Sequence, residues 1–165
     1  MIDVVTVGSA YEEILHKQAA VVADIDERIV RLTQEMIDSL SIHKGIGLAG
    51  PQVNEQLRLF VTHATGDIPR VFINPEITMT SNDLVPYEEG CLSVPGIYAD
   101  VMRSEEIQIQ AWNENGKPFT LDADGILARV ILHEYDHLRG RLFIDKLSEK
   151  KRERLMKTYN RKNGN

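Results

Sequence analysis

The residues of this chain best placed to do chemistry lie at positions 133–137, in the pattern His-Glu-x-x-His. Two histidines at this spacing project from one face of a helix, where their imidazoles can bind a single metal ion. Glu134 lies one step around the helix from His133, so its carboxylate can accept a proton from a water molecule beside that metal. The pattern predicts a metal-dependent hydrolase, but by itself it does not say which kind.

A catalytic metal site of this type needs a third protein ligand and an open position. One class of metallopeptidases has a third histidine where this chain has Phe143. The downstream carboxylates, Glu149 and Glu153, stand among lysines and arginines and are typical of surface ion pairs. Cys91, the only cysteine, remains. A lone cysteine is most often a small buried residue, but a thiolate with two imidazoles is a ligand set typical of Zn²⁺ or Fe²⁺.

The first part of the chain predicts two helices. Residues 9–12, Ser-Ala-Tyr-Glu, have the capping-box pattern that opens a short helix. Asp24 begins a longer one, whose apolar residues recur at helical spacing until the helix ends before Gly45.

Between about residues 57 and 122 the pattern changes to short β segments. Pro75 and Pro86 limit the stretch between them to sheet edges and loops. Residues 106–112 alternate between apolar and polar side chains, and a turn at 113–116 leads into a return strand. We therefore expect mostly antiparallel sheets.

The helix that carries the metal-binding pattern is predicted to begin at Asp122 or Asp124 and to end at Gly140. Ile126 and Val130 lie in one row with the two histidines, so the ligands belong to an otherwise apolar, buried stripe. The fold class is α+β, with mostly antiparallel sheets wrapped around this central helix and a further helix at the C-terminus.

Length, composition and charge add four expectations. A chain of 165 residues suits a single domain over residues 1–165. The absence of a signal-like or membrane-spanning segment predicts a cytoplasmic protein without membrane contact, and we expect a monomer. From residue 146 onward, eight basic residues face two acidic ones, which gives this tail +6 and leaves −12 on the rest of a chain whose total is −6. A helix opened by Ser148 is either an ordinary solvated helix or a basic surface for a polyanion.

Three segments of the chain resemble the signature motifs of the peptide deformylase family. In chain order they are Gly45–Gln52 (Gly-Ile-Gly-Leu-Ala-Gly-Pro-Gln), Glu89–Ser93 (Glu-Gly-Cys-Leu-Ser) and His133–Leu138 (His-Glu-Tyr-Asp-His-Leu). Two positions depart from the family's usual pattern: Gly50 stands in place of alanine, and Leu132 in place of the glutamine that commonly precedes the first histidine.

The resemblance implies an enzyme that removes the formyl group from the N-terminal formylmethionine of newly synthesised proteins and releases formate. Cys91, His133 and His137 would hold one divalent metal ion, natively Fe²⁺, with Zn²⁺ a plausible occupant of purified protein. The side-chain amide of Gln52 and the backbone N–H of Leu92 would stabilise the oxyanion.

The expected substrate-binding residues surround this centre. Close backbone approach requires small residues, which favours Gly47 and Gly90 beside an extended peptide. An apolar pocket for methionine is expected over Ile126 and Val130, and family resemblance adds Ile46 and Tyr87 as walls, although each could equally be an ordinary core residue. Arg103 is expected to pair with Glu89. The nascent polypeptide is the expected partner, and the basic C-terminal helix is a candidate ribosome contact.

Two other functions remain open from the sequence. A metallopeptidase that cuts internal peptide bonds would share the His-Glu-x-x-His pattern, although Phe143 stands in place of its third histidine. A closed structural metal site would need a fourth ligand, and no further cysteine or histidine has suitable spacing.

Overall fold

The computed structural model describes residues 2–163, which form three α-helices and seven β-strands. The helices are α1 (Glu27–His43), α2 (Gly125–Leu138) and α3 (Glu149–Lys162). The strands are β1 (Gly47–Ala49), β2 (Leu59–Thr62), β3 (Arg70–Thr80), β4 (Leu84–Cys91), β5 (Val94–Ser104), β6 (Glu106–Trp112) and β7 (Pro118–Asp124). Short 3-10 helices lie at Glu12–His16, Gly50–Val53 and Phe143–Lys146. The predicted α+β class is confirmed.

The strands form two antiparallel sheets with α2 between them. Five strands pair in the order β1-β2-β3-β6-β7, and β4 pairs with β5 in a separate hairpin. One face of the larger sheet packs against α2 through Phe60, Phe72 and Ile109, while the other face packs against α1 through Leu59 and Val61. Since α2 also contacts β5, the metal-binding helix is central, as predicted.

Helix boundaries agree with the sequence predictions to within a few residues. Asp26, and not Asp24, caps α1, because its side chain accepts a hydrogen bond from the Ile29 N–H. Asp124 lies at the N-cap position of α2, although its side chain makes no capping bond. Ser148 caps α3 as predicted, by accepting from the Lys151 N–H.

The short helix predicted after residues 9–12 is confirmed, but the capping box that was expected to open it does not form. The segment leads into the 3-10 helix, and Glu12 instead accepts a hydrogen bond from the backbone N–H of Gly8.

Pro75 lies inside β3, but among the described residues the part of the strand that follows it, residues 76–80, pairs with β6 alone and is therefore a sheet edge, as predicted. The register shifts between Ile73 and Glu76, and Asn74 adopts a left-handed conformation with φ of 51°. The Asn74 side chain accepts from the Val22 N–H and donates to the Val22 carbonyl. This bulge removes the need for a donor at Pro75. Pro86 agrees with prediction, since within residues 2–163 β4 pairs with β5 alone.

None of the helices in residues 2–163 has the length and apolar character needed to span a membrane.

Candidate active site

Three metal-binding side chains meet where β4 ends against α2. Cys91 is the last residue of β4, and His133 and His137 lie one turn apart on the buried face of α2. One ligand atom from each residue lies within 4.8 Å of the others, and Cys91 Sγ is 3.4 Å from His137 Nε2. The structure therefore brings together the three residues that the sequence predicts as ligands.

The donor set suits a divalent transition metal ion such as Zn²⁺ or Fe²⁺. His133 Nδ1 lies 2.8 Å from Glu89 Oε1, and because an ionised carboxylate can only accept, Nδ1 carries a hydrogen and Nε2 is the ring nitrogen left to bind a metal. Burial lowers the pKa of His137 well below its usual value, so this imidazole is neutral, the form that binds metals. The residues present therefore fit the metal ion that the motif implies.

Glu89 lies at the centre of a buried charge network behind His133. Arg103 donates to both carboxylate oxygens of Glu89, at 2.6 and 3.0 Å, and also to Asp136 at 2.8 Å. Burial alone would raise the pKa of Glu89, but the hydrogen bonds from His133 and Arg103 outweigh it and hold the pKa far below its usual range. Glu89 therefore stays ionised and orients His133. The expected Arg103–Glu89 pair is confirmed.

Glu134 is a buried carboxylate that faces the three ligands. Its side chain is 3% exposed, its Oε2 lies 3.9 Å from His133 Nε2, and its Oε1 has no hydrogen-bond partner among residues 2–163. Burial raises the pKa of Glu134 to about 7. A Cβ atom at Gly47 would lie 2.5 Å from Glu134 Oε2, so only glycine leaves room for this carboxylate.

Gln52 directs its amide nitrogen toward the end of β4, where Cys91 lies. It lies in the 3-10 helix that follows β1, where its Oε1 accepts from the Ala49 N–H at 2.9 Å. This bond identifies the other end as the amide nitrogen, which donates to Ser93 Oγ at 3.2 Å and to Cys91 Sγ at 3.5 Å. Leu92 lies in the turn that joins β4 to β5, directly after Cys91.

A cleft of about 810 Å³ opens beside these residues. Its lining includes all of the substrate-binding residues that the sequence predicts: Ile46, Gly47, Tyr87, Gly90, Ile126 and Val130. Tyr87 and Ile46 are partly exposed at its mouth, whereas Val130 is buried. A Cβ atom at Gly90 would lie 2.6 Å from the ring of Tyr98, so the glycine lets this tyrosine lie across β4.

Arg129 and Tyr98 are among the cleft residues that the sequence analysis missed. Arg129 is buried on α2, although a lone arginine in an apolar stretch usually marks the solvent side of a helix. Its spacing of one turn before His133 was the available signal. Tyr98 lies on β5, where apolar Ile97, Ala99 and Val101 at every second position were an available strand signal that the sequence analysis did not use.

The two departures from the usual motifs are accommodated by packing. A Cβ atom at Gly50 would lie 2.6 Å from the Leu57 carbonyl oxygen, so the glycine allows these two chain segments to approach closely. Leu132 packs against the apolar core between α2 and the larger sheet. Neither residue belongs to the ligand set.

The central helix of this α+β fold places two histidines and a buried glutamate beside a cysteine. This arrangement is that of a metal-dependent hydrolase. Residues 1–153 match the family model for polypeptide deformylase. The chain is 44% identical over 153 residues to the peptide deformylase of Borreliella burgdorferi, covering 92% of this chain and 93% of that one. It is 47% identical over 146 residues to that of Neisseria meningitidis, covering 87% of each. The chain therefore belongs to the peptide deformylase family.

Solved structures agree with this assignment. A peptide deformylase from Legionella pneumophila superposes with a TM-score of 0.91 at 37% identity, covering 98% of this chain and 94% of that one. One from Ehrlichia chaffeensis, in complex with actinonin, gives 0.92 at 32% identity, covering 98% and 97%. The family removes the N-formyl group from the N-terminal formylmethionine of new proteins, and this chain is a metallohydrolase with that activity.

Proposed function

We propose that Cys91, His133 and His137 hold one divalent metal ion, natively Fe²⁺, and that the adjoining cleft binds the formylated N-terminus of a nascent polypeptide. The observation that carries this assignment is the convergence of the three ligands with Glu134, a buried carboxylate that keeps one oxygen without a partner in the described chain. Zn²⁺ fits the same ligand set. Residues 1–165 are proposed to act as one catalytic domain.

Glu134 is the proposed proton carrier. A divalent metal ion held by Cys91, His133 and His137 would lower the pKa of a water molecule bound to it from about 15.7 to about 7. Glu134 accepts the proton of the attacking water and later donates a proton to the leaving amine. Its raised pKa, about 7, suits a group that must both accept and donate near neutrality.

Gln52 and Leu92 are the proposed oxyanion donors. The hydrogen bond from Ala49 holds the Gln52 carbonyl, so the amide nitrogen is positioned before substrate arrives. The Leu92 N–H follows the ligand Cys91 in the β4–β5 turn. Donors that are held in place stabilise developing charge without reorganisation during the reaction.

The methionine side chain is proposed to lie against Ile126 and Val130, with Ile46 and Tyr87 as the walls of the pocket. All four line the cleft. Gly47 and Gly90 leave room on either side for the extended peptide backbone to pair in the manner of a strand.

The direct test is formate release from formyl-Met peptides by protein prepared without oxygen, with metal content measured on the same sample. We expect formate release in proportion to bound Fe²⁺, and no cleavage of the same peptides without the formyl group. Cleavage of internal bonds in unblocked peptides would instead favour the metallopeptidase. Firmly bound metal with no turnover of either substrate would favour a structural site.

We further propose a cytoplasmic monomer that meets its substrate at the ribosome, because nascent chains emerge there. The exposed basic residues of α3 support the ribosome contact. Removing α3 would test this contact, but it would also remove Tyr159, which is buried and donates a hydrogen bond to the Val7 carbonyl. Charge reversal at Arg154 and Lys157 is therefore the cleaner change. We expect Arg154→Glu/Lys157→Glu to weaken co-sedimentation with ribosomes at low salt. Lys117→Glu, at an exposed turn, is the control.

A further inference from the structure

The face of α2 that carries the metal ligands also buries a charge that the proposed reaction does not use. Arg129 is 7% exposed and lies one turn before His133. A guanidinium taken out of water is unfavourable unless its donors find partners. The partners of Arg129 therefore indicate which parts of the site it holds.

Its hydrogen bonds join α2 to both strands of the β4–β5 hairpin. One terminal nitrogen donates to Glu89 Oε2 at 2.8 Å and to the Val101 carbonyl at 2.6 Å, and the other donates to the Val85 carbonyl at 2.7 Å. Within residues 2–163, this hairpin has no ladder with the larger sheet. Arg129 therefore supplies part of the connection that sets the hairpin's position on α2.

The first group that Arg129 holds is the carboxylate of Glu89. One Glu89 oxygen bonds His133 Nδ1, and the other accepts from both Arg103 and Arg129. A carboxylate anchored from two directions has little freedom to rotate. The orientation of the His133 ring thus depends on Arg129 through Glu89.

The second group is the ring of Tyr87. The guanidinium carbon of Arg129 lies 5.7 Å from the ring centroid, which is within cation–π range. Tyr87 is 51% exposed and forms part of the cleft wall. In the hairpin ladder it stands opposite Val101, whose carbonyl Arg129 also binds. Both the ring and the backbone opposite it are therefore held by the same side chain.

We propose that Arg129 is a positioning residue that couples the substrate pocket to the metal centre. It holds the Tyr87 wall on one side and the Glu89–His133 pair on the other, so that both keep their places relative to α2. The Tyr87 part rests on the proposed function, because it concerns binding of the formylated peptide. The Glu89 part concerns only how firmly the metal ion is retained.

The test compares Arg129→Met with Arg58→Met. Arg58 is a matched control, since its side chain is 12% exposed, donates to the Pro75 carbonyl and lies 5.8 Å from the ring of Tyr135, away from the cleft. For Arg129→Met we expect KM for a formyl-Met peptide to rise about threefold to thirtyfold, more than kcat falls. We also expect metal release to a chelator to accelerate about tenfold. Arg58→Met should lower the melting temperature without changing KM or metal release.

A double-mutant cycle identifies the Tyr87 contribution. In a Tyr87→Leu background the effect of Arg129→Met on KM should shrink, whereas in a Tyr87→Phe background, which keeps the ring, Arg129→Met should raise KM by the same factor as it does with Tyr87 present. If Arg129→Met raised KM by the same factor in the Tyr87→Leu background as in the unmodified protein, the coupling would be overturned. An Arg129→Met protein that differs from the original only in melting temperature, as Arg58→Met does, would also overturn it.

Two further results would also bear on the proposal. If Arg129→Met does not fold, Arg129→Lys replaces it, because lysine keeps the charge but lacks the planar fork; unchanged KM and metal release would then reject the proposal. If the unmodified protein releases no formate, the proposed function fails. The chelator measurement would still support or reject the Glu89 part.

Discussion

The two faces of α2 bury side chains of opposite character. Toward the five-stranded sheet, the helix packs apolar residues against Phe60 and Phe72, and the buried ones are Ala128, Ile131 and Leu138. The hairpin side of the helix, which faces the β4–β5 hairpin and, at Glu134, also Gly47 of the end strand β1, buries groups that water would solvate well, namely Arg129, His133, Glu134, Asp136 and His137. One helix thus supports both a conventional core and a charged site.

The difference separates stability from chemistry. Each square ångström of apolar surface removed from water contributes about 25 cal/mol, so the sheet side stabilises the fold. Charges on the hairpin side lose hydration, and their ion pairs and hydrogen bonds recover little more than this loss. That face keeps its polar groups because they hold the metal ligands and the proton carrier. Substitutions on the two faces should therefore have different consequences.

The largest effect is expected from Glu134→Gln on the hairpin side. The amide keeps the size of the side chain but cannot accept the proton, so kcat should fall about 10²-fold to 10⁴-fold. Metal content and the melting temperature should stay unchanged, because Glu134 is not a ligand. Metal analysis and formate release on one preparation check this. Loss of the metal would mean that Glu134 is itself a ligand.

Arg103→Met should be the most destabilising change on the same side. It leaves Glu89 and Asp136 without their shared buried partner, and breaking such a pair costs about 3–5 kcal/mol of unfolding free energy. Urea titration provides the measurement. The matched control is Arg152→Met, which removes an exposed ion pair with Asp145 and should cost at most about 1 kcal/mol. Equal losses of unfolding free energy in both variants would show that the buried network contributes no more to stability than an exposed ion pair does.

Ile131→Ala tests the sheet side of the helix. Ile131 is fully buried, and its truncation should lower the unfolding free energy by about 2–5 kcal/mol. Because no ligand moves, kcat/KM per folded molecule should equal that of the unmodified protein. A fall in kcat/KM beyond the unfolded fraction would show that the two faces are not independent.

Ile131→Val is the smallest change and gives a graded comparison at the same position. Removal of one methylene should cost about 0.5–1.5 kcal/mol, again with unchanged kinetics. Thermal unfolding and formate release measured together check both parts. A kinetic change from this variant, without one from Ile131→Ala, would contradict the division between the faces.

Local patterns in the sequence predicted most of the elements. The 106–112 alternation became β6, and Ser148 capped α3 as expected. The continuation of β3 through Pro75 was not predicted, because it depends on a distant partner. Asn74 pairs with Val22 and so lets β3 continue through Pro75, and this long-range contact has no local signature.

The same difference between local pattern and long-range contact applies to the residues of the candidate site. The spacing of His133 and His137 on a helix identified two ligands, because an α-helix repeats with a known period. Cys91 was reached by elimination of the other candidate ligands, and Gln52 only through motif order, since nothing in their own neighbourhoods says which helix they meet. Arg129 was missed because burial of a charge depends on acceptors contributed by other strands.

By itself, the sequence determined which side chains are available for chemistry, the helix that presents His133, Glu134 and His137, and the basic character of the C-terminal helix. These follow from residue type and helical period, which are local properties. The tertiary structure decided that Cys91 meets the two histidines and that the β4–β5 hairpin lies over α2. Such contacts join residues far apart in the chain, and their stability depends on strand register, burial and complete hydrogen bonding, which only the folded chain supplies.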